Sequence, residues 1–300
     1  MLRIQLDKKA NSSSLAFVIL IIVLIVFTAF VVHAISHGLG TAASWNYPRL
    51  SSSSSVAKQP FLNQSTTTVT ETEDNSLLNK KWNGGETMYL QAAQSMEAPI
   101  TDKVTTHTYQ IMYGQYLLPY YQANPSMKLL EIGLGCDMNY GPGASARLHK
   151  KLFPQAELWE AERDGACVET NVKSGTLQGF HTLVGDQGDL ATLNRWIQES
   201  GGGNFDVIID DGGHDNCQIW TSFVTLWPTV KKGGLYFIED MQVARFNAYT
   251  KTSSDVCPQG TIVPDKIKEM VDTLIFDTKR RGDVKFVFCQ SEACVIGKKE

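Results

Sequence analysis

From residue 127 onward, short apolar runs alternate with longer stretches in which apolar positions recur every three or four residues. Lys128–Ile132 reads as a first buried strand, stopped by Gly133 and Gly135. Pro142 and Gly143 then precede a helical run through Leu148 and Leu152. Glu157–Trp159 marks a second strand, Arg163–Val172 a helix, and His181–Val184 a third strand. Leu190, Leu193 and Ile197 recur at helical spacing and are ended by Gly201, Gly202 and Gly203. Phe205–Ile209 reads as the fourth strand. Ile219, Phe223, Leu226 and Trp227 form a helical stripe halted by Pro228, and Gly234–Ile238 reads as the fifth strand. Residues 262–280 read as a helix with Ile267, Met270, Val271 and Leu274 on one face. Val284–Phe288 and Ala293–Ile296 close the chain as a hairpin. Alternating strand and helix predicts an α/β fold: a mostly parallel sheet covered on both faces, ending in an antiparallel hairpin.

The N-terminal part follows another rule. Leu15–Val32 contains one polar residue, Thr28, and with Ala34 and Ile35 it is long enough for a bilayer's hydrocarbon width. Arg3, Lys8 and Lys9 precede it and no Lys or Arg follows until Arg49, which leaves the N-terminus cytosolic and carries the rest across. A cleaved signal peptide is the alternative, with a normally shorter apolar core. Residues 36–83, rich in Ser and Thr with SSSSS at 51–55, have too little apolar surface to fold and read as a stem. Within it, Asn63-Gln64-Ser65 is a glycosylation sequon. The expected organisation is a cytosolic tail (1–14), a transmembrane signal anchor (15–35), the stem (36–83) and one globular domain (84–300), lumenal or extracellular. Signal cleavage would make the protein secreted.

A formal net charge of −4 argues against a nucleic-acid partner. All six cysteines fall in the globular part, where a secretory compartment permits disulfides. No C-x-x-C spacing occurs, which disfavours zinc. Cys289 and Cys294 flank the hairpin turn and are candidates to pair, with buried free thiols the alternative for each cysteine.

In parallel sheets ligands bind beyond the carboxyl ends of the strands. The glycines of LLEIGLGCDMNYGPG let a ligand approach the backbone directly after the first strand. A dinucleotide fingerprint would need glycine at 138, where Met138 stands. An acid ending the second strand, Glu162 or alternatively Glu160, can accept two ribose hydroxyls. Asp186 follows the third strand, where it either recognises an adenine or caps a helix; Asp189 is the rival cap before Leu190. DDGGH ends the fourth strand and IEDM the fifth. Asp211, Glu239 and Asp240 would converge if those strands are neighbours. Three clustered carboxylates need a cation or shared protons, and all-oxygen ligands favour Mg²⁺. His214, two glycines beyond Asp211, is a candidate general base.

Glu131-x-Gly133-x-Gly135 resembles the first motif of S-adenosylmethionine-dependent methyltransferases. Together TDKVTTHTYQIMYGQYL (101–117), LLEIGLG, LVGDQGD, DDGGH and GGLYFIEDMQ resemble the macrocin and mycinamicin O-methyltransferase family, over about residues 99–240. The resemblance implies a Rossmann-like class I methyltransferase fold with a seven-stranded sheet, and S-adenosylmethionine and Mg²⁺ as cofactors. It implies Asp211, Glu239 and Asp240 as metal ligands and His214 as base. Glu131, Gly133, Gly135, Glu162, Asp186 and Asp210 form the cofactor set, with Thr101, Asp102 and Lys103 at the mouth. The acceptor is then a small molecule with a hydroxyl, preferably a vicinal diol of a sugar, polyketide or catechol; an oligomer is compatible. Two departures stand out: the family often has Ser at the position of Gly213, and residues 250–265, with Cys257, have no counterpart.

Three other functions share some of these features. A lumenal type II glycosyltransferase would carry Asp-x-Asp, which is absent from the sequence. A non-haem iron oxygenase needs two His and a carboxylate, with His107, His149 and His181 as possible partners of His214. A non-catalytic cofactor-binding membrane protein is the third.

Overall fold

The computed structural model describes residues 84–277, 279 and 282–300. The expected anchor at 15–35 and stem at 36–83 lie outside the described residues. Among the described residues no helix is long and apolar enough to cross a membrane.

Helices α1 (84–94), α2 (Asp102–Thr105) and α3 precede the sheet; α3 runs from Gln110–Met112 through a π-turn at Tyr113–Leu117 into Leu118–Ala123. Then follow β1 (Lys128–Ile132), α4 (Ala144–Leu152), β2 (Glu157–Glu162), α5 (Gly165–Lys173), β3 (Phe180–Val184), α6 (Leu190–Glu199) and β4 (Val207–Asp210). The chain continues through α7 (Asn216–Leu226), β5 (Leu235–Ile238), α8 (Val263–Phe276), β6 (Val284–Cys289) and β7 (Cys294–Lys298). The seven strands form one sheet in the order β3-β2-β1-β4-β5-β7-β6. Strands β1 to β5 are parallel to one another, and β7 pairs antiparallel with both β5 and β6. The parallel part and the closing hairpin are those the alternating pattern predicted, and the strand order, with its switch point between β1 and β4, is the class I methyltransferase order that the resemblance implied. Several strand ends shift by one or two residues from the sequence reading, and three boundaries have a clear local cause. The second strand runs on to Glu162 because it pairs on both sides. The helix expected to reach residue 280 stops at Phe276, where Asp277 leaves the helical backbone (φ −75°, ψ 71°). The first helical run after β2 starts two residues late, at Gly165, because Asp164 caps it through the amides of Ala166 and Cys167.

Side chains alternate across a strand, and the two faces build two cores. Leu130, Ile132, Ile208, Tyr236 and Ile238 pack with Trp196 of α6, Phe223 of α7 and Ile267 of α8. Leu129, Val207, Ile209 and Phe237 pack on the other side with Tyr89 of α1, Tyr113 of α3 and Leu148 of α4. Each such fully buried side chain contributes about 1.5–3 kcal/mol. At the amino ends of β1 and β4, buried Asp206 accepts from the Lys128 amide (2.7 Å), Tyr120 Oη (3.1 Å) and Lys231 Nζ (2.7 Å).

All six cysteines are paired: Cys136–Cys167, Cys217–Cys257 and Cys289–Cys294. Cys289 and Cys294, for which the sequence left both pairing and free thiols open, are bridged. The first bridge ties the loop after β1 to the first turn of α5. The second fastens the segment around Cys257 to the first turn of α7. Asn216 reinforces that attachment: its Nδ2 donates to the carbonyls of Ala244 and Tyr249 (both 2.7 Å), and its Oδ1 accepts from the Val263 amide (2.7 Å).

Candidate active site

A cavity of about 460 Å³ opens at the carboxyl ends of the strands. One end is the turn after β1. Gly133 there has φ +111°, and a methyl group on it would lie 2.0 Å from the Asp211 carbonyl oxygen. Only glycine lets the two loops pass so closely. Gly135, Glu162 and Asp186 line the same end. Glu162 is oriented by two amides, Leu134 N (3.2 Å) and Asp164 N (3.0 Å). Of the two glutamates open to the role, Glu162 therefore faces the cavity, while Glu160 is fully buried behind it. Asp189 caps α6. Asp186 lines the cavity and accepts from Gly188 N (2.7 Å) and Gln218 Nε2 (3.0 Å), so it is not that helix's cap.

At the other end Asp211, His214 and Asp240 bring one ligand atom each within 4.8 Å of one another. Thr101 and Tyr249 line the cavity too. His214 (φ 54°) and Asp240 (φ 54°) both sit in the left-handed region that non-glycine residues avoid. Such strain persists only where the surroundings impose it, and it concentrates at functional sites. His214 Nε2 lies 3.3 Å from Asp240 Oδ2. Tyr109 Oη donates to Asp240 Oδ1 at 2.6 Å. Burial works the other way, but His214 and this hydroxyl hold the Asp240 carboxyl below the usual range. The Gly213 position is crowded: a methyl group there would lie 2.0 Å from Gln218 Oε1. Gly213 N also donates to Gln187 Oε1 at 2.9 Å, so the loop is held and not slack.

Five of the sequence candidates, Lys103, Glu131, Glu160, Asp210 and Glu239, lie behind the cavity wall. Strand alternation is the reason. Asp210 points to the α7 face with Ile208 and accepts from Gln187 Nε2 (2.7 Å), Ser222 Oγ (2.5 Å) and Tyr236 Oη (3.1 Å). It reaches the cavity only by fixing Gln187. Glu131, Asp211 and Glu239 all belong to the opposite face, each two residues on from Leu129, Ile209 or Phe237. Glu160, the register partner of Glu131, joins them. Four adjacent parallel strands thus end in a row of acids.

Lys103 enters this row from α2. Its side chain is 1 % exposed, and its Nζ lies 2.6 Å from Asp211 Oδ2, 2.7 Å from Glu239 Oε2 and 3.3 Å from Glu131 Oε1. It was expected at the mouth and stands beneath it. Glu239 gives its other oxygen to the Tyr113 hydroxyl. Burial pushes the Asp211 carboxyl up to about 6 and that of Glu239 up to about 7, both against the pull of Lys103. Glu131 accepts from His149 Nδ1 at 2.9 Å, and His149 Nε2 meets Tyr89 Oη at 3.2 Å.

The sequence did not single out Tyr109, Tyr113 or Gln187, and it pointed to His149 only as a possible partner of His214. Their partners lie many residues away, and no local spacing marks them. His107 is occupied on both ring nitrogens, by Glu292 (2.6 Å) and Asp240 (3.5 Å), His149 is held by Glu131 and Tyr89, and His181 stacks on Trp159, so among the described residues no second histidine joins His214 and the two aspartates. The two carboxylates at the cavity, Asp211 and Asp240, fit a hard divalent cation such as Mg²⁺ or Mn²⁺.

No family profile matches the chain. It is 30% identical over 158 residues to L-olivosyl-oleandolide 3-O-methyltransferase of Streptomyces antibioticus, covering 52% of this chain and 39% of that protein. It is 31% identical over 170 residues to mycinamicin VI 2''-O-methyltransferase of Micromonospora griseorubida (56% and 40%). The demethylmacrocin O-methyltransferase of Streptomyces fradiae is 32% identical over 174 residues (56% and 40%). The chain spans about two fifths of the length of the curated relatives it matches. Among solved structures, the MycE methyltransferase in complex with Mg and SAH superposes with a TM-score of 0.51 at 24% identity, over 73% of this chain and 55% of that one. The same enzyme with Mg, SAH and mycinamycin VI gives 0.52 at 19% identity, over 77% and 63%. These structures share the fold described above. Over about half its length the chain is similar to macrocin- and mycinamicin-type O-methyltransferases, as its motifs led one to expect.

Proposed function

We propose that the globular domain is an S-adenosylmethionine-dependent, Mg²⁺-assisted O-methyltransferase acting on a hydroxyl of a small molecule. The observation that carries this reading is the cavity itself: a glycine turn and a ribose-ready glutamate at one end, Asp211, His214 and Asp240 at the other. The relatives that act on sugar hydroxyls of polyketides support an acceptor of that kind, with a vicinal diol preferred.

In this reading Gly133 and Gly135 leave the backbone bare for the cofactor, and Glu162 receives its ribose hydroxyls. Asp211 and Asp240 hold the divalent ion, with Glu239 as the third carboxylate. When bound, the ion supplies positive charge that makes an acceptor hydroxyl more acidic. With His214 Nε2 directed at Asp240, its Nδ1 is the ring atom that takes the hydroxyl proton. A carboxylate that orients a base in this way is a recurring arrangement. The strained His214 and Asp240 backbones hold base and acid in place before the acceptor arrives, so that little ordering is left for the reaction itself.

The fully paired cysteines support a domain on the lumenal or extracellular side, because disulfides persist in oxidising compartments. This agrees with the orientation expected of an anchor at 15–35.

The test is calorimetric titration of the full chain with SAH, followed by transfer of labelled methyl from S-adenosylmethionine to a panel of diols and catechols. SAH binding together with EDTA-sensitive transfer supports the reading. Absence of SAH binding by the folded protein overturns it.

A further inference from the structure

The divalent ion is expected among the carboxylates that already hold a cation. The Lys103 ammonium bridges Asp211 and Glu239 at 2.6 and 2.7 Å and is sealed from solvent. Two like charges cannot share those oxygens, so ion and ammonium compete for them. The ammonium also has a second place to go. Glu131 Oε1 lies 3.3 Å from Nζ and has no hydrogen-bond partner. Both oxygens of Glu160, its register partner, are buried without any partner. Buried acceptors are rarely left unpaired in native proteins. Here three of them lie on the side of Lys103 away from Glu239.

We propose that Lys103 is a resident cation that ion binding displaces: its ammonium gives up Asp211 and Glu239 to the ion and moves toward Glu131 and Glu160. The proposal rests on the metal-assisted reading above. It makes Lys103 a positioning residue with two seats. In the first seat it keeps the acids together in the absence of the ion. In the second it satisfies Glu131 and Glu160 once the ion is bound. The short α2 helix that carries Lys103 also presents Thr101 to the cavity, so the move couples ion loading to the mouth of the site.

The experiment is titration of the full chain with Mn²⁺, followed by calorimetry and by the electron spin resonance of the free ion, for wild type, Lys103→Met and Glu131→Gln. Thermal melts and SAH titration serve as checks on folding. Removing the competitor should tighten Mn²⁺ binding about tenfold or more, since each tenfold is about 1.4 kcal/mol. Removing the negative charge of the second seat should weaken it, because the displaced ammonium then has less to go to. A residue with only a structural role would weaken binding in both variants. Equal or weaker Mn²⁺ binding by a folded Lys103→Met chain overturns the proposal. Should that variant fail to fold, a crystal structure of the wild-type chain with Mn²⁺ decides it: Lys103 Nζ drawn off Asp211 and Glu239 toward Glu131 and Glu160 supports the proposal, and Nζ still on Asp211 and Glu239 overturns it. Failure of the methyltransferase reading shows separately, as loss of SAH binding in wild type.

Discussion

Glu131 and Glu160 are register partners on adjoining parallel strands, both buried, and neither oxygen of Glu160 has a hydrogen-bond partner. Burial, and then the neighbouring Glu131, holds the Glu160 carboxyl well above its ordinary 4.5. A raised folded-state value means that the folded chain keeps this proton when the unfolded chain has lost it. The associated stability is present below pH 4.5 and declines as pH rises from there to the folded value, by up to about 1.4 kcal/mol per pH unit for one group. Glu160→Gln should flatten this part of the stability profile, as read by denaturant titration at successive pH values. An unchanged slope would show that Glu160 is ionised in the folded chain.

Gly133→Ala should damage both ends of the cavity at once. The added methyl group would meet the Asp211 carbonyl oxygen, a backbone atom that cannot turn aside, and φ +111° is itself unfavourable for alanine. The expected loss of stability is about 2–4 kcal/mol, from strain and overpacking together. Calorimetry should show SAH and Mn²⁺ binding falling together.

Replacing Cys136 and Cys167 by serine opens a cross-link spanning 31 residues of sequence. Such a bridge contributes about 2–4 kcal/mol to stability. Because it ties the glycine loop to the helix after Glu162, the double variant should also bind SAH more weakly. Undiminished SAH affinity would show that the loop holds its shape without the bridge.

His214→Ala should lower methyl transfer by about 10²–10⁴-fold, the range for a positioned general base. SAH affinity should stay near wild type, because the imidazole stands at the opposite end of the cavity from Glu162. Full transfer activity in the variant would move the proton acceptor elsewhere.

Much of the fold was legible because each strand is an apolar run of its own, stopped by glycine or an acid. The hairpin followed from the same alternation, whereas the adjacency of β4 and β5 rested on the family resemblance. The ends of helices were less legible, since α5 and α8 are bounded by single aspartates whose effect lies in one cap or one dihedral pair. In the candidate site, Gly133, Glu162 and Asp211 could be placed from their position at strand ends. Glu239 and Asp240 are adjacent in sequence, but the left-handed turn at Asp240 sends one behind the wall and the other into the cavity. The Lys103 contacts could not be read, because they join residues 108 and 136 positions apart. Only the meeting of α2 with the sheet creates them.

With every cysteine cross-linked, the native chain has no sulfhydryl to offer an alkylating reagent. Iodoacetamide added to the unfolded but unreduced protein should leave its intact mass unchanged, and prior reduction should add six adducts. Preparations made in a reducing cytosol can be graded by that shift before any assay is run.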